Sequence, residues 1–291
     1  MRILSLTGAI IASVTTIATV LAAPQRAGTG TPAERADGLV RRIQQGQPVR
    51  VVVIGDSVAQ GFYAKGYEAI TQTPPGDARG SERFVAGQRE HEGNAGVMAQ
   101  LRSFLQERNA ASTLVNESGS GWTAGMMLGQ LRRQPEDPLV DVVGAVAAVA
   151  PKYDMAIVAL GINDCNRFYP YKLSEAYADF RKNLVVMSER LLAAGITPVF
   201  FKANDVDRPI GLPGPTFAHF MDVIDDVGRE KSVPVIDGYT AFHRAVVEAG
   251  GFGRIAVMED YLHPNQAGHD LLFSVVKAWF TRPVAAGASG R

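Results

Sequence analysis

The chain of 291 residues has one cysteine, Cys165. A single thiol cannot form an internal disulfide, a Cys-rich zinc site or a CxxC redox pair. It also has no surplus charge, with 29 Lys+Arg against 29 Asp+Glu. Without a basic excess, nothing supports nucleic acid or an anionic membrane as a partner. Aromatic residues make up 8% and Trp occurs twice. What is present is ordinary for a globular protein: 46% hydrophobic and 20% charged residues. That balance excludes a disordered chain, a collagen-like repeat and a disulfide scaffold. The length suits one sizeable α/β domain or two small ones.

Charge is missing altogether from Ile3 to Ala23, after Met1-Arg2 and before Pro24. The run ends Val-Leu-Ala-Ala, small residues ahead of a proline. It reads as a secretory signal peptide over residues 1–23, cut near Ala22 or Ala23. An uncleaved anchor is the alternative, since the run is just long enough to span a bilayer. Its many Ala, Thr, Ser and Gly residues make it weakly apolar, which favours cleavage. No Cys near the cut allows a lipid anchor. Arg2 is the signal's one charge, so the remainder holds 28 basic and 29 acidic residues. A secreted or periplasmic location is the expectation, with no stable membrane insertion after cleavage.

Residues 24–48 read as a linker and leading helix, with Pro24 to about Ala36 the flexible part. Arg50-Val-Val-Val-Ile54 is a short β-branched run bounded by Gly, the pattern of a buried parallel strand. Similar runs recur at Thr113–Val115, Met155–Leu160, Pro198–Phe201 and Pro234–Ile236. Helical periodicity lies between them, at Asn94–Arg108, from Asp137-Pro138, at Ser174–Ala194 and at Gln266–Phe280. Tyr177, Phe180, Leu184, Met187 and Leu191 share one face of the third, and Gly195 ends it. Leu272, Val275, Val276 and Trp279 form the buried face of the last. Five strands alternating with helices predict a doubly wound, five-stranded parallel sheet over residues 49–282, with a flexible tail over 283–291. Gly61–Gly93 and Asn204–Thr216 are too long for tight turns. Each follows a strand, where ligand pockets form in such sheets.

The strand ends carry the chemistry-bearing residues. The first runs into Gly55-Asp56-Ser57, the second into Asn116-Glu-Ser-Gly-Ser-Gly121-Trp122 and the third into Gly161-Ile-Asn163-Asp164. Asp260-Tyr-Leu-His263 follows near the C-terminus. Each alone is commonplace: a helix cap, a turn, a surface histidine. Together they form a set. A serine hydroxyl is a weak nucleophile and needs an adjacent base, which His263 can be. The base needs an acceptor on its other nitrogen, and Asp260 lies three residues away on a tight turn. The developing oxyanion needs fixed donors, for which the Ser57 N–H, Gly121 N–H and Asn163 amide are suited.

In these four blocks the sequence resembles the SGNH hydrolase superfamily, the GDSL esterases/lipases, which supply Ser, Gly, Asn and His in that order. The first block, Gly-Asp-Ser57-Val, departs from the family's Gly-Asp-Ser-Leu only at Val58. The second makes Gly121, not Gly119, the oxyanion donor. The resemblance covers about residues 49 to 281. It implies a flavodoxin-like three-layer sandwich, ester hydrolysis through an acyl-serine intermediate, and no cofactor.

Competing motifs are weaker. Gly119-x-Gly121-x-x-x-Gly125 misplaces the third glycine of a dinucleotide loop, and Gly61-x-x-x-x-Gly66 lacks the Lys of a P-loop. No Gly-x-Ser-x-Gly elbow occurs. His91-Glu92 has no second His, so no metal is expected. His219, His243 and His269 read as structural or surface residues, and the Asn116-Glu-Ser118 sequon as coincidence. Trp122, Phe62, Tyr63 and Tyr261 are candidates for contacting substrate, because aromatic faces suit sugar rings and acyl chains alike. Phe168 and Tyr169 lie near the third block as well. Small acyl esters, with acetyl on carbohydrate foremost, are the expected small-molecule or polysaccharide substrates. Lysophospholipase or thioesterase activity, O-acetyl transfer on the same site, and a non-catalytic carbohydrate-binding relative stay open, as does the oligomeric state.

Overall fold

The structure is a computed structural model that describes residues 30–67, 93–132, 135, 139–168, 173–206, 214–251 and 256–284. The signal segment, most of the two long loops, the Asp137-Pro138 helix start, His91-Glu92, Tyr169 and the tail from residue 285 lie outside the described residues.

The apolar runs form the expected strands: β1 Arg50–Gly55, β2 Thr113–Asn116, β3 Met155–Ala159, β4 Thr197–Lys202 and β5 Val235–Asp237. All pair in parallel, in the order β2-β1-β3-β4-β5. The central strands are buried along nearly their whole length and the edges β2 and β5 only in part. That explains why β1, β3 and β4 are almost continuously apolar. Each fully buried Val or Ile contributes roughly 1.5–3 kcal/mol.

Ten helices are described: α1 Pro32–Gln44, α2 Ser57–Gln60, α3 Val97–Arg108, α4 Ala124–Met127, α5 Val142–Ala148, α6 Ile162–Phe168, α7 Leu173–Ala193, α8 Gly214–Lys231, α9 Gly238–Glu248 and α10 Gln266–Thr281. α1, α3, α9 and α10 pack together on one side, and α4 to α8 on the other, which makes the three-layer α/β sandwich. α7 buries Phe180, Leu184, Met187 and Leu191, as its periodicity predicts, and Gly195 follows at φ 83°. In α10 the buried face is Leu272, Val276 and Phe280; Val275 and Trp279 are only partly covered.

Two sequence expectations shift. The stretch read as linker as far as Ala36 is already helical from Pro32, because Thr31 and Glu34 form a capping box. That leading helix is no appendage to the domain. It packs on β4, α3 and α10, with Arg42 2.9 Å from Asp154 and Arg35 donating to Gly195 O at 2.6 Å. The helix expected from Asp137-Pro138 starts at Val142, where the Asp141 carboxylate caps the Gly144 N–H at 2.8 Å.

The chain leaves β1 for β2 on one side, then crosses to β3 on the other. The crevice beyond the carboxyl ends of β1 and β3 is therefore the switch point of the sheet. Gly55 and Ala159 are register partners there, so the residues just after both strands meet.

Candidate active site

Ser57 opens α2 directly after β1. The Asp56 carboxylate caps the helix by accepting from Val58 N–H at 3.0 Å, which makes Ser57 the first helical residue and leaves its N–H outside the helical bonding. Asp56 is 2% exposed. Burial pushes its carboxyl up to about 7, against backbone N–H bonds from Val58, Ala59 and Asp56 itself that pull it down.

Ser57 Oγ lies 2.9 Å from His263 Nε2. On the other side of the ring, His263 Nδ1 is 2.8 Å from Asp260 Oδ2 and 3.0 Å from Oδ1. A carboxylate only accepts, so Nδ1 carries the ring proton and Nε2 receives the Ser57 hydroxyl. Asp260 Oδ1 also accepts from the Leu262 and His263 N–H groups, both at 2.7 Å, which winds the loop into the turn that presents the ring. Burial pushes the Asp260 carboxyl upward, but the His263 bond and these N–H groups outweigh it and hold it below its usual range.

The loop is anchored from three sides. Asn204, after β4, donates to Leu262 O at 2.9 Å. Met258 and Pro264 bridge its ends, and Asn265 caps α10 on Gly268 N–H. At Gly268 a Cβ would stand 2.2 Å from Val257 O and 2.6 Å from Pro264 Cβ, so only glycine lets the helix start this close to the loop.

Besides the Ser57 N–H, the expected donors lie on the segments that follow β2 and β3, the two strands flanking β1. Gly121 adopts φ 80°, a conformation suited to glycine, and its N–H makes no hydrogen bond among the described residues. Gly119 N–H is already committed to Gly55 O at 3.0 Å, which favours Gly121 as the available donor. Asn163 gives one amide hydrogen to Trp122 O at 3.1 Å, which fixes its plane and leaves the other for a ligand. Asp164 adds a second tie, accepting from Ala124 N–H at 3.0 Å. The blocks after β2 and β3 are thereby stitched together.

The aromatic candidates divide. The Phe62 ring stacks on the His263 imidazole at 4.4 Å, and Tyr63 meets it edge-on at 5.7 Å. Tyr63 is exposed, as is Tyr261, two residues before His263 in the chain. Trp122 is different: its side chain is 7% exposed and belongs to the core cluster, so the ring is packed inward and its carbonyl is what serves the site. The side-chain surroundings of Phe168 lie outside the described residues. Asn116 is 2% exposed and donates to Ala59 O at 2.8 Å, so the sequon side chain is a strand-end tie. His219 is on the surface, His243 pairs with Asp205, and His269 is buried. Asn204 and His269 carried no spacing signal; only tertiary structure brings them to the site.

Among the described residues, no group of three or more His, Cys, Asp or Glu is arranged to hold a metal ion. No described helix is long and apolar enough to cross a membrane. Chemically, the arrangement offers a hydroxyl bonded to an oriented base, with N–H groups after β1, β2 and β3 of the kind a developing oxyanion needs.

No curated protein matches the chain. Among solved structures, the acetylxylan esterase Axe2 from Geobacillus stearothermophilus is similar, at 21% identity and TM-score 0.55 over 82% of this chain and 97% of that one. LAE5, an alpha/beta hydrolase enzyme from the metagenome of Lake Arreo, Spain, gives 19% identity and TM-score 0.56 over 80% and 94% of the two chains. These likenesses establish the fold. The model of the GDSL-like Lipase/Acylhydrolase family matches residues 53–271, which span all four blocks. The chain therefore belongs to the GDSL-like lipase/acylhydrolase family and is a carboxylic ester hydrolase.

Proposed function

We propose that this protein is a secreted or periplasmic esterase that removes small acyl groups, with acetyl on carbohydrate foremost, through an acyl-enzyme on Ser57. The observation that carries the mechanism is the unbroken Asp260–His263–Ser57 chain, at 2.8 and 2.9 Å. Ser57 Oγ attacks the ester carbonyl carbon while His263 Nε2 takes its proton. Ser57 N–H, Gly121 N–H and the Asn163 amide receive the oxyanion. Collapse expels the alcohol, which takes the proton from His263. Water then gives a proton to His263 and attacks the acyl carbonyl, and Ser57 leaves with its proton restored.

The substrate reading rests on two supports. The exposed ring of Tyr63 meets His263 edge-on, and Tyr261, two residues before His263 in the same loop, is exposed as well; such faces suit a sugar ring. Axe2 and AlAXEase, which share the fold, are acetylxylan esterases. The location rests on the uncharged run before Pro24. A panel of p-nitrophenyl esters graded by chain length, together with acetylated xylan, tests the substrate. The acetyl ester should give the highest kcat/KM, and a maximum at eight carbons or more would overturn the small-acyl reading. Ser57→Ala should fold and lose about 10⁴-fold or more in kcat. Activity within tenfold of wild type would refute the nucleophile.

A further inference from the structure

His269 lies in the first turns of α10, six residues after His263, and is fully buried. Its Nε2 is 2.9 Å from Phe62 O. A carbonyl only accepts, so Nε2 carries the hydrogen. In the neutral ring Nδ1 is then a bare acceptor, and it has no hydrogen-bond partner among the described residues. Burial brings this imidazole down to about 4, so it is neutral at the pH values where a histidine base works. A buried polar group that leaves one atom unsatisfied calls for a reason. Here the one bond it makes within the described structure is to the main chain of Phe62.

Phe62 is held at both of its main-chain polar groups. Its N–H donates to Ser57 O at 3.0 Å and its carbonyl accepts from His269. Its ring lies on His263, with centroids 4.4 Å apart and planes 30° apart, and touches Tyr67 at 4.6 Å on another side. The next residue, Tyr63, adopts φ 61°, a region that is costly for an aromatic residue and persists only where surrounding contacts impose it. The bond from His269 falls on the carbonyl of the peptide that enters Tyr63. It is placed to hold that turn, and with it the Phe62 ring.

We propose that His269 is a positioning residue for ester hydrolysis: by holding the Phe62 carbonyl it keeps the Phe62 ring flat against His263, so that the imidazole stays aligned on Ser57. Asp260 and Ser57 restrain the ring within its plane, and Phe62 restrains it across the plane. The proposal rests on the reading of Ser57 and His263 as nucleophile and base.

The test uses His269→Leu, which removes the donor, and His269→Gln, whose amide N–H reaches to the place of Nε2. His269→Asn, whose shorter amide falls short of Phe62 O, and Phe62→Leu complete the set. Each is followed by kcat and KM for p-nitrophenyl acetate and by the rate at which diisopropyl fluorophosphate modifies Ser57. The second readout reports on the Ser57–His263 pair without an ester substrate, and thermal unfolding monitors the fold.

His269→Leu should lower kcat and the labelling rate by roughly 10- to 100-fold, the scale of a small misalignment, with KM within about threefold. His269→Gln should return both to within about threefold of wild type. Adding Phe62→Leu to His269→Leu should cost nothing beyond Phe62→Leu alone, because both act through one ring. Should His269→Leu fail to fold, a Gln variant faster than the Asn variant supports the proposal, and equal rates overturn it. A folded His269→Leu with wild-type rates, equal losses in Leu and Gln, or additive losses in the double variant also overturn it. Ser57→Ala separates the two levels. If that variant stays active, the mechanism itself fails; if it is dead while His269→Leu is unimpaired, only the role of His269 falls.

Discussion

Two histidine–carboxylate pairs stand at the same edge of the sheet, joined by one side chain. Asn204 donates to Asp205 O at 2.7 Å and to Leu262 O at 2.9 Å, so a single amide ties the segment carrying Asp205 to the one carrying His263. In both pairs a carboxylate holds Nδ1, at 2.6 Å in Asp205–His243 and 2.8 Å in Asp260–His263. Exposure is inverted. The Asp205 side chain is 4% exposed under a His243 ring that is 52% exposed, whereas His263 is 14% exposed over an Asp260 that is 36% exposed. His263 turns Nε2 onto a serine hydroxyl; His243 Nε2 has no hydrogen-bond partner among the described residues. A carboxylate sets a histidine's tautomer and aim, but covalent catalysis also requires a nucleophile and oxyanion donors. In the Asp205 pair the histidine helps the carboxylate, since a buried charge needs partners.

The comparison breaks most sharply at the carboxylates. Asp260→Asn should lower kcat by about 10²–10⁴, because an amide favours the wrong tautomer of His263. Asp205→Asn should leave kcat within about threefold and lower stability by roughly 1–3 kcal/mol, as a buried hydrogen-bonded charge is lost. The two are measured by steady-state kinetics and thermal unfolding on the same preparations. Equal kinetic losses would mean that the His243 pair belongs to the reaction.

The donors sharpen it next. Asn163→Ala should lower kcat by roughly 10²–10³ with little change in KM, because the amide acts on charge that exists only in the transition state. A change confined to KM would make Asn163 a substrate contact instead.

These roles differ in how far the linear sequence announces them. The sheet was legible because β1, β3 and β4 are buried on both faces and so read as unbroken apolar runs. Ser57 and His263 were legible because each sits in a short block at a strand end or a loop where geometry is local. Asp260 was reachable by its three-residue spacing alone. Asn204 and His269 were not, since their partners Leu262 and Phe62 lie 58 and 207 residues away. Trp122 misled for a related reason: adjacency to Gly121 suggested a ligand face, but position in the chain does not fix a side chain's direction at a turn, and this residue packs into the core.

Burial next to the site also leaves a signature in stability, and here Asp56 and His269 are opposed. The folded state raises Asp56 from 3.8 to about 7. It therefore binds that proton more tightly than the unfolded chain; the associated stability is full below about 3.8 and is lost as pH rises through about 7. His269 is lowered from 6.5 to about 4, so its contribution is full above 6.5 and is lost as pH falls through about 4. Between these limits the two slopes partly cancel. Asp56→Asn keeps an acceptor for Val58 N–H, and its Tm should fall more steeply than wild type between pH 6.5 and 4. His269→Gln should fall less steeply, or rise, over the same interval. Slopes that match wild type in both variants would show that neither group titrates as its burial requires.

The smallest effect is expected at a second potential nucleophile. Ser57 and Cys165 follow the two adjacent central strands, β1 and β3, and differ in what surrounds them. Ser57 is 4% exposed with its Oγ on His263, whereas Cys165 is fully buried in the hydrophobic core on α6. Alkylation requires a thiolate that a reagent can reach, and full burial denies that access. Iodoacetamide should therefore leave the native enzyme active over the time that fully modifies the unfolded chain. Cys165→Ser should keep kcat within about twofold while losing roughly 1–3 kcal/mol of stability, because a smaller and more polar group replaces a fully buried thiol. Cys165→Ala should be milder, since it creates a small cavity and buries no new polar atom. Inactivation by iodoacetamide that the Cys165→Ala variant resists would place the thiol within reach of the crevice, and the contrast between a reactive serine and an inert cysteine would no longer hold.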